Sequence, residues 1–220
     1  MIIRNVKIRG KEGLYDVETE NNRFKSIKQV SDGAITGCVN NQGLKQSSDD
    51  TYDAAGRMMM PPFVEPHIHL DCVMTAGIPH YNMSGTLFEG ITTWDEYKNS
   101  APLEVEEIKN RAKAALRMMA EYGVQFVRTH VDVTETSFKG VEAILELREE
   151  MKDKIEIQTV AFPQNGIMSF RGGKEYMERA MKMGVDCVGG IPHYEFSREM
   201  GVESIEFIFD LAEKYDAMID

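Results

Sequence analysis

Two histidines separated by one residue, His67 and His69, are the side chains of this sequence best suited to chemistry. They close a short run that begins with Phe63 and Val64 and is typical of a β-strand. Side chains of a strand alternate between its faces, so both imidazoles leave the backbone in the same direction. Two imidazoles so placed can supply two ligands of a divalent metal ion. The alternative is a pair of ordinary polar residues at a strand end, and the spacing alone leaves both interpretations open.

Further candidate side chains lie at or near the ends of the predicted strands, the first strand included. In chain order the candidates are Glu65, Asp71, His130, Asp132, Phe162, Gln164, His193 and Glu195. Phe162 and Gln164 share one face of their strand, as do His130 and Asp132. Active sites of parallel α/β barrels form at the carboxyl ends of the strands. Four of the five histidines fall at such ends, which favours a polar site there.

Each of these residues also has a purely structural explanation. Glu65 could be a structural carboxylate, and Asp71 could either hydrogen-bond a ligating histidine or hold its own turn. His130 and Asp132 could bridge neighbouring strands. The loop that contains His193 could use its polar side chains only to order itself.

The elements that must position these residues alternate between strand and helix after residue 61. The predicted strands are 63–69, 124–133, 155–162 and 185–191, and each is followed by apolar positions at helical spacing. Residues 72–102, rich in Gly, Asn and Pro, are predicted to connect the first strand to its helix. Such alternation indicates a parallel sheet covered by helices. An open doubly wound sheet is less favoured, because no Gly-x-Gly-x-x-Gly follows any strand.

Chain length decides how much of a barrel is predicted. A complete (β/α)8 barrel needs about 250 residues. Residues 62–220 are therefore predicted to form its first four βα units, the N-terminal half of a TIM-like barrel. Residues 1–61 are predicted to be a small β-rich, sandwich-like segment with short alternating strands. Within this segment, residues 40–53 are polar and are predicted to form a loop.

Composition limits the classes of partner. The net charge of −11 argues against a nucleic-acid backbone or an anionic membrane, and fits a small-molecule substrate better. No stretch approaches the about 20 apolar residues of a membrane span. The three cysteines are widely spaced and unpatterned, as expected in a reducing compartment. We therefore expect a cytoplasmic protein.

Five runs of this sequence carry a resemblance to a known family. Residues 63–71 resemble the metal-binding strand of the amidohydrolase superfamily. The other four narrow the resemblance to the barrel-type bacterial cytosine deaminases within it; they are residues 84–90, 127–132, 160–164 and 191–196. The resemblance extends over essentially the whole chain.

The resemblance implies roles for five residues. His67 and His69 would be ligands of one divalent metal ion, iron or zinc. Gln164 would hydrogen-bond the pyrimidine edge, Phe162 would line the ring, and Leu87 would contact the base. Members with two metals carry a lysine at the end of strand four; residues 189–193 contain none, which favours a single ion. Five further residues could hold these ligand-binding residues in place: Glu65, Asp71, His130, Asp132 and His193.

The remaining machinery of the family is expected beyond Asp220. Members place a third histidine ligand and a proton-relaying glutamate on strand five, a further histidine on strand six and a metal-binding aspartate on strand eight. No catalytic residue is therefore expected within this chain, which as it stands should be inactive.

The resemblance implies hydrolysis of cytosine to uracil and ammonia, a reaction of pyrimidine salvage. Deamination of isoguanine, isocytosine or another cyclic amidine remains open, as does opening of a cyclic amide. A different class of explanation is a non-catalytic half-barrel fragment that works only with a second chain. Half a barrel leaves a strand edge and apolar helix faces uncovered, so we expect a homo-oligomer.

Overall fold

The structure is a computed structural model that describes residues 1–21, 23–30, 45–48 and 50–220. It divides into two compact units, Met1–Pro61 and Pro62–Asp220. Within the described residues, no helix is both long and apolar enough to cross a membrane.

The first unit is a small sheet. Its strands are β1 (Ile2–Ile8), β2 (Tyr15–Glu20), β3 (Arg23–Gln29), β4 (Lys45–Ser48), β5 (Thr51–Asp53) and β6 (Met58–Met59). They run in the order β3-β2-β1-β5-β4, and β6 also pairs with β1. Val6, Val17 and Ala54 form its buried core. The alternation of apolar residues predicted β1 and β2 because one face of each is turned to this core, whereas β3 is predicted by its pattern but contributes no residue to the core.

The predicted loop over residues 40–53 is wrong in part. β4 and β5 form an antiparallel pair, and β5 also pairs in parallel with β1. Both strands are polar, and a composition-based prediction misses them because backbone pairing with a neighbour, not apolar patterning, forms them. Residues 40–44 and 49 of that prediction lie outside the described residues.

The second unit is an α/β layer. Its strands are β7 (Phe63–Ile68), β8 (Val124–Asp132), β9 (Glu156–Phe162), β10 (Cys187–Val188) and β11 (Met218–Ile219). Its helices are α1 (Leu87–Ser100), α2 (Val105–Glu121), α3 (Lys139–Met151), α4 (Gly173–Met183) and α5 (Arg198–Tyr215). The sheet order β11-β10-β9-β8-β7 follows the chain, and every pair is parallel. All carboxyl ends therefore lie along one edge of the sheet, as the alternation predicted.

The helices are held by apolar faces turned to the sheet. Ile108 and Leu116 of α2, Ile144 and Leu147 of α3, and Met177 of α4 are fully buried in one continuous core. The spacing is eight residues in α2 and three in α3, and both are spacings of one helical face. Each such side chain contributes about 1.5–3 kcal/mol of burial free energy.

Helix α1 corrects the predicted connection over residues 72–102. Its start has a chemical signal, because the Thr86 hydroxyl accepts a hydrogen bond from the Glu89 backbone N–H at 3.3 Å. A threonine followed three residues later by glutamate is the sequence mark of a helix N-terminus. The turn-forming residues that suggested a loop lie mostly before Thr86, and Trp94 then lies on the inner face of the helix.

The fourth strand is also shorter than predicted. Residues 185–191 contain a strand only at Cys187–Val188. A side chain at Gly189 would put its Cβ 2.7 Å from the Ala161 carbonyl oxygen, so the chain passes very close to β9 here. It then turns into a short 3-10 helix at Pro192–Tyr194, whose residues follow the end of β10.

Candidate active site

The carboxyl ends of the strands surround a cavity of about 410 Å³. Nine of the ten residues predicted to bind or to support a ligand line it; they are His67, His69, Asp71, Leu87, His130, Asp132, Phe162, Gln164 and His193. Residues separated by up to 126 positions in the sequence are thus brought together. The placement follows from the strand period and the parallel order of the sheet.

Three imidazoles form one wall of the cavity. The ring centroids of His67 and His69 lie 5.3 Å apart, and His130 from β8 stacks on His67 at 3.9 Å. Burial lowers the pKa of His69 to about 4, and the neighbouring His130 and His67 rings add to this effect. His69 is therefore neutral at pH 7, which is the form of imidazole that binds a metal.

The donor chemistry fits part of a metal site. His67 and His69 both open on the cavity, and neutral imidazoles are ligands of iron and zinc. In the part of the chain that the structure describes, no group of three or more His, Cys, Asp or Glu side chains is arranged to hold a metal ion. Two ligands are thus what these residues offer. His130 is engaged differently: its Nε2 lies 2.7 Å from Asp220 Oδ1, and its Nδ1 is buried without a hydrogen-bond partner.

Asp132 is fully occupied by hydrogen bonds. Its side chain is 2% exposed. Oδ2 accepts from Trp94 Nε1 at 2.9 Å and from Lys98 Nζ at 2.8 Å, and Oδ1 accepts from the backbone N–H and the hydroxyl of Thr134. Four bonds use the lone pairs that a carboxylate offers. Asp132 is therefore neither a strand bridge nor open to a metal ion; it holds α1 at the end of β8.

Asp71 connects the ends of two strands. Its Oδ2 accepts a hydrogen bond from the Asp132 backbone N–H at 3.0 Å, while Oδ1 is buried without a partner. Burial raises the pKa of Asp71 to about 7; the Asp132 carboxylate adds to the rise, and the hydrogen bond from the Asp132 N–H opposes it. Neither predicted alternative, a bond to a ligating histidine or a local turn, describes this contact.

The cavity lining next to the imidazoles suits a flat ring. The Phe162 ring lies 5.4 Å from the His69 and His130 rings, edge on to both. Gln164 follows it on the same turn, and Leu87, 61% exposed, begins α1. An apolar wall beside an amide that both donates and accepts is the usual pattern of a site for a planar heterocycle.

Two predicted residues have structural contacts. Glu65 does not line the cavity, and its carboxylate accepts a hydrogen bond from the His67 backbone N–H at 3.1 Å. Glu195 accepts hydrogen bonds from the backbone N–H groups of residues 167–169 and from the Ser169 hydroxyl. Glu195 thereby orders the segment after β9, and not its own loop as its structural alternative proposed. His193 lines the cavity and is exposed.

Among the residues that were not predicted from the sequence, Trp94 lines the cavity, and Lys98 and Asn165 form polar contacts beside it. Trp94 and Lys98 stand four residues apart, on one face of the unpredicted helix α1. Asn165 directly follows Gln164. A capping signal at Thr86 would have found the helix, but nothing local in the sequence points to the partners of Lys98.

No protein-family model matches this chain. A solved structure of 5-methylcytosine deaminase from Klebsiella pneumoniae, liganded with 5-fluorocytosine, is 43% identical with a TM-score of 0.88, over 100% of this chain and 50% of that chain. N-isopropylammelide isopropyl amidohydrolase of Pseudomonas sp. (strain ADP) is 33% identical, over 100% of this chain and 52% of that protein.

A third similarity has the same extent. The structure of N-isopropylammelide isopropylaminohydrolase from Burkholderia multivorans is 27% identical with a TM-score of 0.76, over 100% of this chain and 51% of that chain. The chain spans about half the length of the curated relatives it matches. The predicted fold class, the N-terminal half of a TIM-like amidohydrolase barrel preceded by a β-rich segment, is confirmed.

Proposed function

Because this chain is similar over its whole length to amidohydrolases of the cytosine deaminase type, we propose that the protein hydrolyses an exocyclic C–N bond of a nucleobase. Cytosine is the proposed substrate: water supplies the oxygen that replaces the amine, and the products are uracil and ammonia. The observation that carries the proposal is one cavity that unites His67 and His69 with Phe162 and Gln164.

The metal ion belongs to the same proposal. His67 and His69 would hold one divalent ion, iron or zinc, through their imidazole nitrogens. Such an ion, when bound, supplies a water of lowered pKa as the source of the attacking oxygen. His69 is already deprotonated at pH 7, so no proton has to leave it before the metal binds. None of the residues assigned here to the cavity is proposed to relay protons.

The base lies against the aromatic wall. Phe162 covers the ring face, and the Gln164 amide donates to and accepts from the polar edge of the pyrimidine. Leu87, exposed at the start of α1, covers the base from the side of the first long segment. An amide next to an apolar surface discriminates strongly, because a base with the wrong edge leaves a polar group unpaired.

Two relatives suggest a second substrate class. The N-isopropylammelide hydrolases are named for removing an alkylamine from a triazine ring, and one of them is 33% identical to this chain. Triazines and pyrimidines are both flat heterocycles with exocyclic nitrogen, so the same wall and amide suit either. Isoguanine, isocytosine and 5-methylcytosine remain alternatives within the nucleobase class. A homo-oligomer in the cytoplasm remains our proposal for assembly and location.

Product analysis tests the proposal. The complete protein, and not this chain alone, is purified, supplied with iron or zinc and incubated with cytosine, 5-methylcytosine, isocytosine, isoguanine or N-isopropylammelide, and ammonia and ring products are quantified. We expect equal amounts of ammonia and uracil from cytosine, and loss of both after chelation. Isopropylamine from the triazine with no product from cytosine would favour the second class, and a ring-opened product would contradict deamination. No product from any compound would favour the non-catalytic fragment.

A further inference from the structure

Lys98 lies at the centre of a buried polar cluster. Its side chain is only 5% exposed. The ammonium donates to Asp132 Oδ2 at 2.8 Å and to Asn165 Oδ1 at 2.9 Å, and forms an ion pair with Asp95 Oδ1 at 2.7 Å. These three acceptors belong to three different segments: the end of β8, the segment after β9, and α1 itself. One side chain therefore joins all three.

Contacts among the partners close the cluster. Trp94 Nε1 donates to Asp132 Oδ2 at 2.9 Å, so the indole and the ammonium share one carboxylate oxygen. Asn165 Nδ2 donates to Asp95 Oδ2 at 2.8 Å. Asn165 is thus bonded to α1 through both ends of its amide. A network in which each buried polar group has a partner is rigid and costly to open.

The three joined segments carry the proposed base-binding residues. Leu87 and Trp94 of α1 line the cavity, Gln164 directly precedes Asn165, and Asp132 lines the cavity at the end of β8. Lys98 itself does not line this cavity. Its effect on a bound base must therefore pass through its neighbours.

Helix α1 has fewer buried residues than any other α-helix of the described residues. Its one buried residue is Ile91, whereas α3 buries six residues. Because α1 buries little apolar surface, its hydrogen bonds and ion pairs must supply more of the free energy that holds the helix in place. A single cation also faces two carboxylates here, so its removal would leave Asp95 and Asp132 facing each other with less compensation.

We infer that Lys98 is a positioning residue that fixes α1 and the segment after β9 relative to each other. It thereby sets the separation of Leu87 and Gln164 across the cavity. The inference rests on the proposed function where it concerns the base, and on geometry alone where it concerns the two segments.

Hydrogen exchange of the full-length protein tests the geometry. In Lys98→Met we expect backbone amides of α1 and of residues 163–170 to exchange together, at least about tenfold faster than in the unaltered protein. Lys113→Met is the matched control, since Lys113 pairs with Glu150 on the helical surface. Faster exchange in α1 alone, or in neither segment, would overturn the inference. If Lys98→Met does not fold, Asn165→Ala removes the same link and leaves the cation in place.

Kinetics separate a positioning role from general stability. We expect Lys98→Met to raise the KM for cytosine about tenfold, with normal metal content and a smaller change in kcat. If Lys98 acts through Asn165, the double variant with Asn165→Ala should have about the same KM as Lys98→Met alone. Additive effects, or an unchanged KM in a folded variant, would contradict the inference.

The two proposals can fail separately. Exchange is measured without any ligand, so joint loosening of both segments would stand even if no base were turned over. In that case the proposed function fails and the coupling of the two segments remains. Conversely, an unaltered protein that deaminates cytosine, with exchange unchanged in Lys98→Met, retains the function and refutes the role of Lys98.

Discussion

The ends of β7 and β8 are neighbours in the sheet, yet they use their polar side chains in opposite ways. His67 at the end of β7 is exposed, and its ring contacts other rings, those of His69 and His130. Asp132 at the end of β8 is buried and accepts four hydrogen bonds. A polar residue at a strand end is thus no sign of ligand binding by itself. At these two strand ends the exposed His67 is the candidate ligand, and the saturated Asp132 holds the site together.

The strongest test of this comparison is His67→Ala. Loss of one of two imidazoles should abolish metal retention and reduce turnover by more than the about 100-fold typical of residues that only support a ligand. Metal content after dialysis and ammonia release are the measurements. His80→Ala is the control, because His80 pairs with Glu96 outside the cavity. A His67→Ala variant that keeps its metal and its activity would refute the assignment of His67 as a metal ligand.

Asp132→Ala tests the role of the hydrogen-bonded carboxylate at the end of β8. The substitution leaves the buried Lys98 ammonium with one carboxylate partner fewer, so we expect the free energy of unfolding to fall by about 3–5 kcal/mol. Urea unfolding measures it. Glu104→Ala, which breaks an exposed pair with Lys139, should cost about 1 kcal/mol or less. Should Asp132→Ala instead keep its stability and lose its metal, the distinction between the two strand ends would be wrong.

The same comparison explains what the sequence could predict. His67 with His69, and Phe162 with Gln164, were placed correctly on one cavity, because strand alternation and parallel order depend on local pattern. Their roles as ligands and base contacts remain predictions. Bonds from Lys98 to Asp132 and Asn165 span 34 and 67 residues, and no local pattern encodes such contacts.

Helix α1 shows a second limit of prediction. Gly, Asn and Pro residues before Thr86 made the whole of residues 72–102 resemble a connection. The helix begins only where Thr86 and Glu89 cap it. Because the helix was missed, the helical face that carries Trp94 and Lys98 was missed too. Because one helix was not predicted, the residues of that helix that support the site were not predicted either. The two histidines at the end of β7, Phe162 and Gln164 were nevertheless placed correctly on the cavity.

Gln164→Ala tests whether the Gln164 amide is open to a bound base. If the amide is open to a ligand, its removal should weaken base binding by about 1–3 kcal/mol, roughly 5- to 150-fold, while metal content and unfolding stay normal. Titration calorimetry with uracil, the proposed product, measures binding without turnover. Gln125→Ala, on an exposed part of β8, serves as the control. Loss of stability with unchanged binding would mean that Gln164, like Asp132, stabilises the fold and does not bind the base.

The smallest effect is expected at Glu195, a second saturated carboxylate. Burial raises its pKa, but the Ser169 hydroxyl and the backbone N–H groups of residues 167–169 outweigh this, so the pKa lies below the ordinary value of 4.5. The Glu195 carboxylate also lies close to the backbone at position 166. A Cβ there would lie 2.9 Å from Glu195 Oε2, and φ is +89°, so this position requires glycine.

A lowered folded pKa fixes the sign of the pH dependence. Glu195 stabilises the folded protein above its unfolded pKa, and this contribution is lost as the pH falls through the lower folded value. Glu195→Gln cannot titrate, so the advantage of the unaltered protein over this variant, on the order of 1 kcal/mol after solvent screening, should be present near neutral pH and vanish in acid. Urea midpoints between about pH 7 and about pH 3 measure it. Glu206→Gln, on the exposed face of α5, should lack this difference. A gap that persists in acid would mean that shape, and not charge, orders the segment beside Gln164.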